Sequence, residues 1–273
     1  MKPIYGIVGH PVLHSLSPVM HTAAFKAAGI DAEYRIFDIS PEDPEELANF
    51  CYETEVNGIA GFSVTMPYKE EIMNYMDHYD PLAKEVASVN TVKAEGPLLI
   101  GYNTDAQGSI AALREKTELE GKKVLVMGAG GAARAVAYAL NQFGARVFVW
   151  NRTYSEAEHM AKEYGLTPVP FDQIVQVPFD IYINATPVGM APDTTQTILK
   201  AEQIRKGSVV MDLITYPVET ELLRQAKKAG AQVIDGSRML LHQAAGQFTI
   251  WFEKPAPLEA METAMNAELK RRA

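Results

Sequence analysis

The sequence is poor in cysteine: Cys51 stands alone among 273 residues. That excludes an internal disulfide and a thiolate metal cluster. It also lacks any uninterrupted apolar run of about 18 residues, the minimum for a membrane-spanning helix, so no membrane partner is expected. Basic runs are missing as well. The formal charge is −9, with the acidic residues dispersed along the chain, and the expectation is no nucleic-acid partner. Internal repeats and low-complexity linkers are absent. The opening "MKPIYGIVGHP" is broken at Gly6, Gly9 and Pro11, so it reads as a first strand rather than a secretory signal, and a cytoplasmic location is expected. What is present is ordinary for a globular protein, with 47% hydrophobic and 22% charged residues, and the length suits one large or two modest domains.

Short β-rich runs alternate with helical stretches. "IYGIVG", "EYRIFDI" and "GIAGFSV" read as strands, with helices over 17–28 (stopped by Gly29) and 44–56 between them. A short helix from Tyr68 and another over 81–86 follow, then a strand pair, "VNTVKA" and "LLIGYN", joined at Glu95-Gly96-Pro97. From Lys122 the alternation is regular. "KKVLVMG", "RVFVWN", "FDIYINAT", "SVVMDLI" and "AQVIDG" are strands, and 132–143 and 155–164 are helices. That pattern predicts a parallel sheet with helices on both faces. Residues 239–252 and 258–270 are helical with no strand behind them, free to pack back onto the first half.

The segment "VLVMGAGGAARAVAYAL" places Gly128, Gly130 and Ala133 at G-x-G-x-x-A spacing, after an apolar β-run and at the start of an alanine-rich helix. This is the context of a dinucleotide-binding turn. The first glycine permits the turn, the second lets backbone N–H groups approach a pyrophosphate, and the helix N-terminus favours the anion. At the end of the next strand an NAD site would carry an acidic residue for the ribose. Here stand Asn151, Arg152 and Thr153, and an arginine suits a 2′-phosphate, so NADP is favoured.

In the first half, "HSLSPVMH", "SVTMPYK", "SVNTV" and "GYNTDAQG" concentrate small polar groups. Ser17-Pro18 reads as an N-cap followed by proline in the first turn. A metal site is disfavoured, since His14 and His21 find no carboxylate or cysteine to complete a ligand set. A serine nucleophile lacks the elbow sequence. Taken singly, Thr104-Asp105 reads as a helix cap, Lys69 as a solvated charge and Asn90 as a turn residue. Lys69 and Asp105 are nevertheless the only strong proton-transfer candidates in "SVTMPYK", "SVNTV" and "GYNTDAQG".

Taken together, "GHPVLHSLSPVMH", "SVTMPYKEE", "SVNTV", "GYNTDAQG", "GAGGAARA", "NRT", "NATPVGM", "DLITYPVETELL" and "GSRMLLHQAAGQFTIW" resemble the shikimate dehydrogenase family, in the family's order and over nearly the whole chain. The resemblance implies an α/β protein of two domains. An N-terminal substrate domain (1–105) is completed by C-terminal helices (238–273), and a Rossmann-like NADP-binding domain with a parallel sheet (106–237) is inserted between them, with the active site in the cleft. The implied reaction is reversible NADPH-dependent reduction of 3-dehydroshikimate to shikimate, in aromatic amino-acid biosynthesis.

By the same resemblance Lys69 and Asp105 are the catalytic pair. Ser15 and Ser17 hold the substrate carboxylate, and Thr65, Asn90, Tyr216 and Gln243 complete the substrate contacts. Gly128, Gly130, Gly131, Ala132, Asn151, Arg152, Thr153, Thr186, Met190, Leu213 and Gly236 line the cofactor. No metal is implied, and the expected form is a monomer or homodimer. The chain departs from the family's common pattern at Ser63, Ala87, Ser88 and Thr22, and at Glu156, where many members place a cation beside the 2′-phosphate. That carboxylate keeps NAD open as a second cofactor. Two alternatives share the framework: a quinate or dual quinate/shikimate dehydrogenase, and a cofactor-sensing binding protein on an inactive scaffold.

Overall fold

A computed structural model describes residues 2–272, which divide into two units, 2–104 with 241–272 and Asp105–Leu240. The first unit begins with β1 (Ile4–Gly9), α1 (Ser17–Ala27), β2 (Glu33–Asp38), α2 (Pro44–Tyr52) and β3 (Ile59–Val64). Then come β4 (His78–Tyr79), α3 (Pro81–Glu85), β5 (Thr91–Glu95) and β6 (Leu98–Tyr102). Local chemistry sets the boundaries. Asp43 caps α2 by accepting from Glu45 N–H at 3.0 Å, and Asp80 caps α3 through Ala83 N–H at 3.0 Å. Helix α2 stops at Tyr52, short of the expected 56. Thr54 Oγ1 donates to Cys51 O at 3.0 Å and draws the chain into a turn that Gly58 completes at φ +68°.

The six strands of this unit run in the order β2-β1-β3-β5-β6-β4. β1 is parallel to β2 and β3, while β5 is antiparallel to both β3 and β6, the latter pair being the hairpin expected from Glu95-Gly96-Pro97. Phe62, Val64, Ile72, Val89 and Val92 belong to the core beneath it. Helix α8 (Gly236–Phe252) carries the chain from the second unit to the first, and α9 (Leu258–Arg272) follows it and packs against α1. Gly61 makes room for α8 on the sheet. A Cβ there would sit 2.6 Å from Trp251 Nε1, the atom that donates to Val92 O at 2.9 Å.

The second unit comprises α4 (Asp105–Arg114), β7 (Lys123–Met127), α5 (Gly131–Gln142), β8 (Arg146–Trp150), α6 (Tyr154–Tyr164), β9 (Thr167–Pro168), β10 (Ile181–Asn184), β11 (Val209–Asp212), α7 (Glu221–Ala229) and β12 (Gln232–Ile234). Its sheet is parallel throughout, in the order β12-β11-β10-β7-β8-β9. Counted from β7, this is the 3-2-1-4-5-6 order of a doubly wound dinucleotide-binding fold. The contact division between the units falls at 104/105 and 240/241. Asp105 opens α4, and Arg238 Nε is bound to Glu115 at 3.1 Å, which ties the first turn of α8 to the end of α4.

Candidate active site

The small polar residues of the first unit collect at one end of its sheet. β1 and β3 both finish there, β5 begins there, and β6 returns to it. Val64 N–H donates to Asn90 O at 2.8 Å, and Asn90 N–H donates to Tyr102 O at 3.0 Å. Ser15 and Ser17 follow β1, Thr65 and Lys69 follow β3, Asn90 precedes β5, and Thr104 follows β6.

Asn90 is the hub of this end and is 1% exposed. Its Nδ2 donates to Gln243 Oε1 at 2.8 Å and to Thr104 Oγ1 at 3.0 Å. Its Oδ1 accepts from Thr104 N–H and from Thr91 Oγ1, each at 2.8 Å. The backbone donor fixes which end of the amide is oxygen. The Thr104 hydroxyl therefore joins this cluster rather than serving only as the cap expected of Thr104-Asp105.

Ser17 is not the N-cap. Leu16 holds that position with αR backbone (φ −88°, ψ −10°), and Ser17 is the first helical residue, with Pro18 in the first turn. The cap role passes to Ser15, whose Oγ accepts from Ser17 N–H at 3.1 Å, so the hydroxyls of Ser15 and Ser17 share one turn at the start of α1. Lys69 is half-buried, and its carbonyl accepts from Val89 N–H at 2.8 Å. Thr65 is half-buried and Gln243 lies on α8. Among the described residues no cluster of three or more His, Cys, Asp or Glu is placed to hold a metal ion.

Two predicted substrate-side residues belong to the second unit. Asp105 is 3% exposed and opens α4, where the helix dipole favours a carboxylate. Tyr216 lies between β11 and α7 and is exposed.

A second polar network, which the motifs do not single out, lies under the Asn90 hub. Gln247 Oε1 accepts from Ser63 Oγ at 2.9 Å and from His21 Nε2 at 3.1 Å, while Gln247 Nε2 donates to Asn90 O at 3.3 Å. Tyr34 Oη meets Ser63 Oγ at 2.8 Å and stacks on His21. Burial pushes His21 down to about 4, and it raises the Tyr34 hydroxyl well above its ordinary value. The network is thus neutral at physiological pH. Only its spread over four distant segments hides it from a reading of the sequence.

In the second unit, β7 leads into Gly128 at φ +121°, and a Cβ there would meet Ala185 O at 2.9 Å. Gly130 is the N-cap of α5 and offers no side-chain cap; the first turn of α5 holds no acid, and a Cβ on Gly130 would meet nothing within 4 Å. The N–H groups of Gly131 and Ala132 therefore open α5 with space before them, as a pyrophosphate requires. Asn151, Arg152 and Thr153 follow β8; Arg152 and Thr153 are exposed, and Asn151 Nδ2 donates to Thr153 O at 3.0 Å. Glu156 is exposed in the first turn of α6. Thr186 and exposed Met190 follow β10, Leu213 follows β11, and Gly236 opens α8 against the backbone of Leu213 and Ile214. These groups fit a dinucleotide with a 2′-phosphate: an uncapped helix start for the pyrophosphate and an arginine, not an acid, directly after β8.

A doubly wound sheet with this turn at its switch point, joined to a second α/β unit rich in neutral hydrogen-bonding groups, is the scaffold of a nicotinamide-dependent oxidoreductase. Family models match most of the chain: the shikimate dehydrogenase substrate binding domain over residues 7–92, shikimate/quinate 5-dehydrogenase over 110–234, and the shikimate 5′-dehydrogenase C-terminal domain over 236–265. The shikimate dehydrogenase (NADP(+)) of Methanocaldococcus jannaschii is 41% identical over 278 residues, covering 96% of this chain and 95% of its own. That of Pyrococcus abyssi is 42% identical, covering 91% of each. A shikimate dehydrogenase solved with NADP+ superposes with a TM-score of 0.93 at 41% identity, over 98% of this chain and 96% of its own. The Thermus thermophilus enzyme, solved with NADP(H) and shikimate, gives 0.91 at 36% identity, over 97% and 99%. The chain belongs to the shikimate dehydrogenase family.

Proposed function

We propose a division of roles among these residues for the reaction of the family, the reversible NADPH-dependent reduction of 3-dehydroshikimate to shikimate. The observation that carries it is the convergence of Thr65, Asn90, Thr104 and Gln243 on one end of the first sheet. A ring with several hydroxyls needs fixed, uncharged donors and acceptors of this kind. Ser15 and Ser17 receive the carboxylate at the start of α1, where hydroxyl donors and the helix dipole serve it without a fixed cation. Asn90, Thr65, Gln243 and Tyr216 hold the remaining polar atoms.

Bound NADPH supplies the hydride. As the ketone carbon accepts it, the oxygen takes up negative charge, which the Lys69 ammonium stabilises and protonates. Asp105 orients that ammonium and accepts a hydrogen bond from the neighbouring ring hydroxyl. Gly128, Gly130, Gly131 and Ala132 hold the pyrophosphate, Asn151, Arg152 and Thr153 the adenosine end, and Thr186, Met190, Leu213 and Gly236 the nicotinamide end. Lys69→Ala tests the reading. Turnover is expected to fall by about 10²–10⁴-fold, the usual worth of a positioned acid, with a much smaller change in shikimate affinity by equilibrium titration. Near-normal turnover refutes the role.

A further inference from the structure

The mechanism leaves one buried charged group of the second unit unused. Asp212 ends β11, and its side chain is wholly buried. Its Oδ2 accepts from Thr220 Oγ1 at 2.7 Å. Its Oδ1 accepts from Ile214 N–H at 3.1 Å and from Asn184 Nδ2 at 3.0 Å. Asn184 ends β10 and is turned so that Nδ2 faces Asp212 and the Val188 carbonyl. Its Oδ1 is then left to accept from Thr186 N–H at 3.0 Å and from Thr186 Oγ1 at 2.7 Å. One carboxylate thus knots the two segments that leave adjacent strand ends, 184–190 and 212–220. These segments carry Thr186, Met190 and Leu213.

We propose that Asp212, as a carboxylate, is a positioning residue for the cofactor, holding the connections after β10 and β11 in the shape that binds the nicotinamide end. This rests on the reading that those connections line the cofactor. All three partners of Asp212 are donors, so they favour the ionised form, and each is neutral: Asn184 from β10, Thr220 from the cap of α7, and Ile214 from its own connection. Protonation puts a hydrogen among groups that have mainly hydrogens to offer. It weakens the hold on Asn184 and, through it, on Thr186. Burial without a counter-charge pushes the carboxyl up to about 6, within reach of ordinary assay conditions.

The test is NADPH binding to the full chain, followed by fluorescence from pH 5 to 8.5, together with the KM for NADP+. Asp212→Asn is expected to weaken NADPH binding about tenfold at pH 7.5, the loss of one charge-assisted hydrogen bond. The KM for shikimate should move less than that for NADP+. The 2′-phosphate titrates near pH 6 by itself, so the decisive comparison is between variants sharing that ligand. Thr220→Val removes a donor that stabilises the carboxylate, and it is expected to move the acid limb of binding upward by about one pH unit. Thr220→Ser keeps the donor and should restore the wild-type limb. Coincident pH profiles for Thr220→Val and Thr220→Ser overturn the proposal, and they decide it even if Asp212→Asn does not fold. Met190→Ala is the control for the underlying reading. If it leaves NADPH affinity unchanged, the cofactor lining itself is wrong; if it weakens binding while the Thr220 pair behaves identically, only the role of Asp212 fails.

Discussion

His21→Phe should relieve the first unit of an acid penalty of about 3 kcal/mol. His21 is fully buried. Its Nε2 faces an amide oxygen, Gln247 Oε1, at 3.1 Å, so that nitrogen carries the proton, and buried Nδ1 has no hydrogen-bond partner. A second proton would sit on Nδ1 with nothing to receive it. Burial accordingly lowers the group from 6.5 to about 4. At 1.36 kcal/mol per pH unit, that displacement is worth about 3 kcal/mol. The folded-state value is depressed, so the folded protein binds this proton less tightly than the unfolded chain. The stability is present above pH 6.5 and is lost as pH falls from there through about 4. Asp212 acts in the opposite sense. Its carboxyl is raised from 3.8 to about 6, so its contribution is present below 3.8 and is lost as pH rises through 6. It is common to both proteins and cancels in their difference. Phenylalanine keeps the ring that stacks on Tyr34, and Gln247 Oε1 retains Ser63 as donor. Urea unfolding at pH 7, 5.5 and 4, followed by the fluorescence of Trp251 with its ring 4.9 Å from His21, measures the effect. The advantage of the variant over wild type should grow by about 3 kcal/mol between pH 7 and pH 4. A difference that stays within about 1 kcal/mol over that range refutes the assignment of a buried, neutral histidine.

Two substitutions probe the cofactor end and the packing. Glu156→Lys should raise the preference for NADP+ over NAD+ in kcat/KM by about tenfold, since a carboxylate in the first turn of α6 repels a 2′-phosphate near Arg152 and an ammonium attracts it; an unchanged ratio means that Glu156 does not face the phosphate. Gly61→Ala should lower stability by at least about 2 kcal/mol in urea unfolding, because its Cβ would stand 2.6 Å from Trp251 Nε1 and 2.9 Å from Val92 O; a loss below about 0.5 kcal/mol shows that α8 can retreat from the sheet at little cost.

The elements legible in the sequence are those whose signals are contiguous. "VLVMGAGGAARAVAYAL" states a strand, a turn and a helix in one breath, and β7, Gly128 and α5 follow it. Glu95-Gly96-Pro97 likewise gives the β5–β6 hairpin. Two-residue strands such as β4 and β9 have no period to detect, since each is defined by its partner and not by its own residues. The N-cap of α1 falls on Leu16, one residue before the expected Ser17, a residue type that no capping preference would select. The Asn90 hub was legible as a list of polar residues but not as a cluster, because Asn90 and Gln243 are 153 positions apart. Gln247 and Ser63, 184 apart, left no signal beyond their polarity. Asp212 and Asn184 each end an apolar strand, and they become a pair only when the sheet order sets β10 beside β11.

The two units handle buried polarity differently, and the difference suits what each must bind. In the first, Asn90, Thr91, Thr104, Gln243, Gln247, Ser63 and His21 make a connected set in which every member is neutral. Neutral partners are cheaper to bury than charges, even with His21 Nδ1 left unpaired, and they keep fixed donors and acceptors for a polyhydroxylated ring without competing for its carboxylate. In the second, besides Asp105 at the start of α4, the Asp212 carboxylate is buried among three neutral donors. Such a charge is costly, as its raised pKa shows. Its return is orientation: a carboxylate can only accept, so Asn184 must present its nitrogen to Asp212 and its oxygen to Thr186. A neutral amide at 212 has one acceptor oxygen in place of two, so it could accept from Ile214 N–H and Asn184 Nδ2 but would turn an N–H toward Thr220 Oγ1. The Asp212 charge therefore sits where two neighbouring connections must be held together, and the neutral network sits where a ligand's own hydroxyls have to be matched, with Asp105 the buried carboxylate assigned to the substrate side.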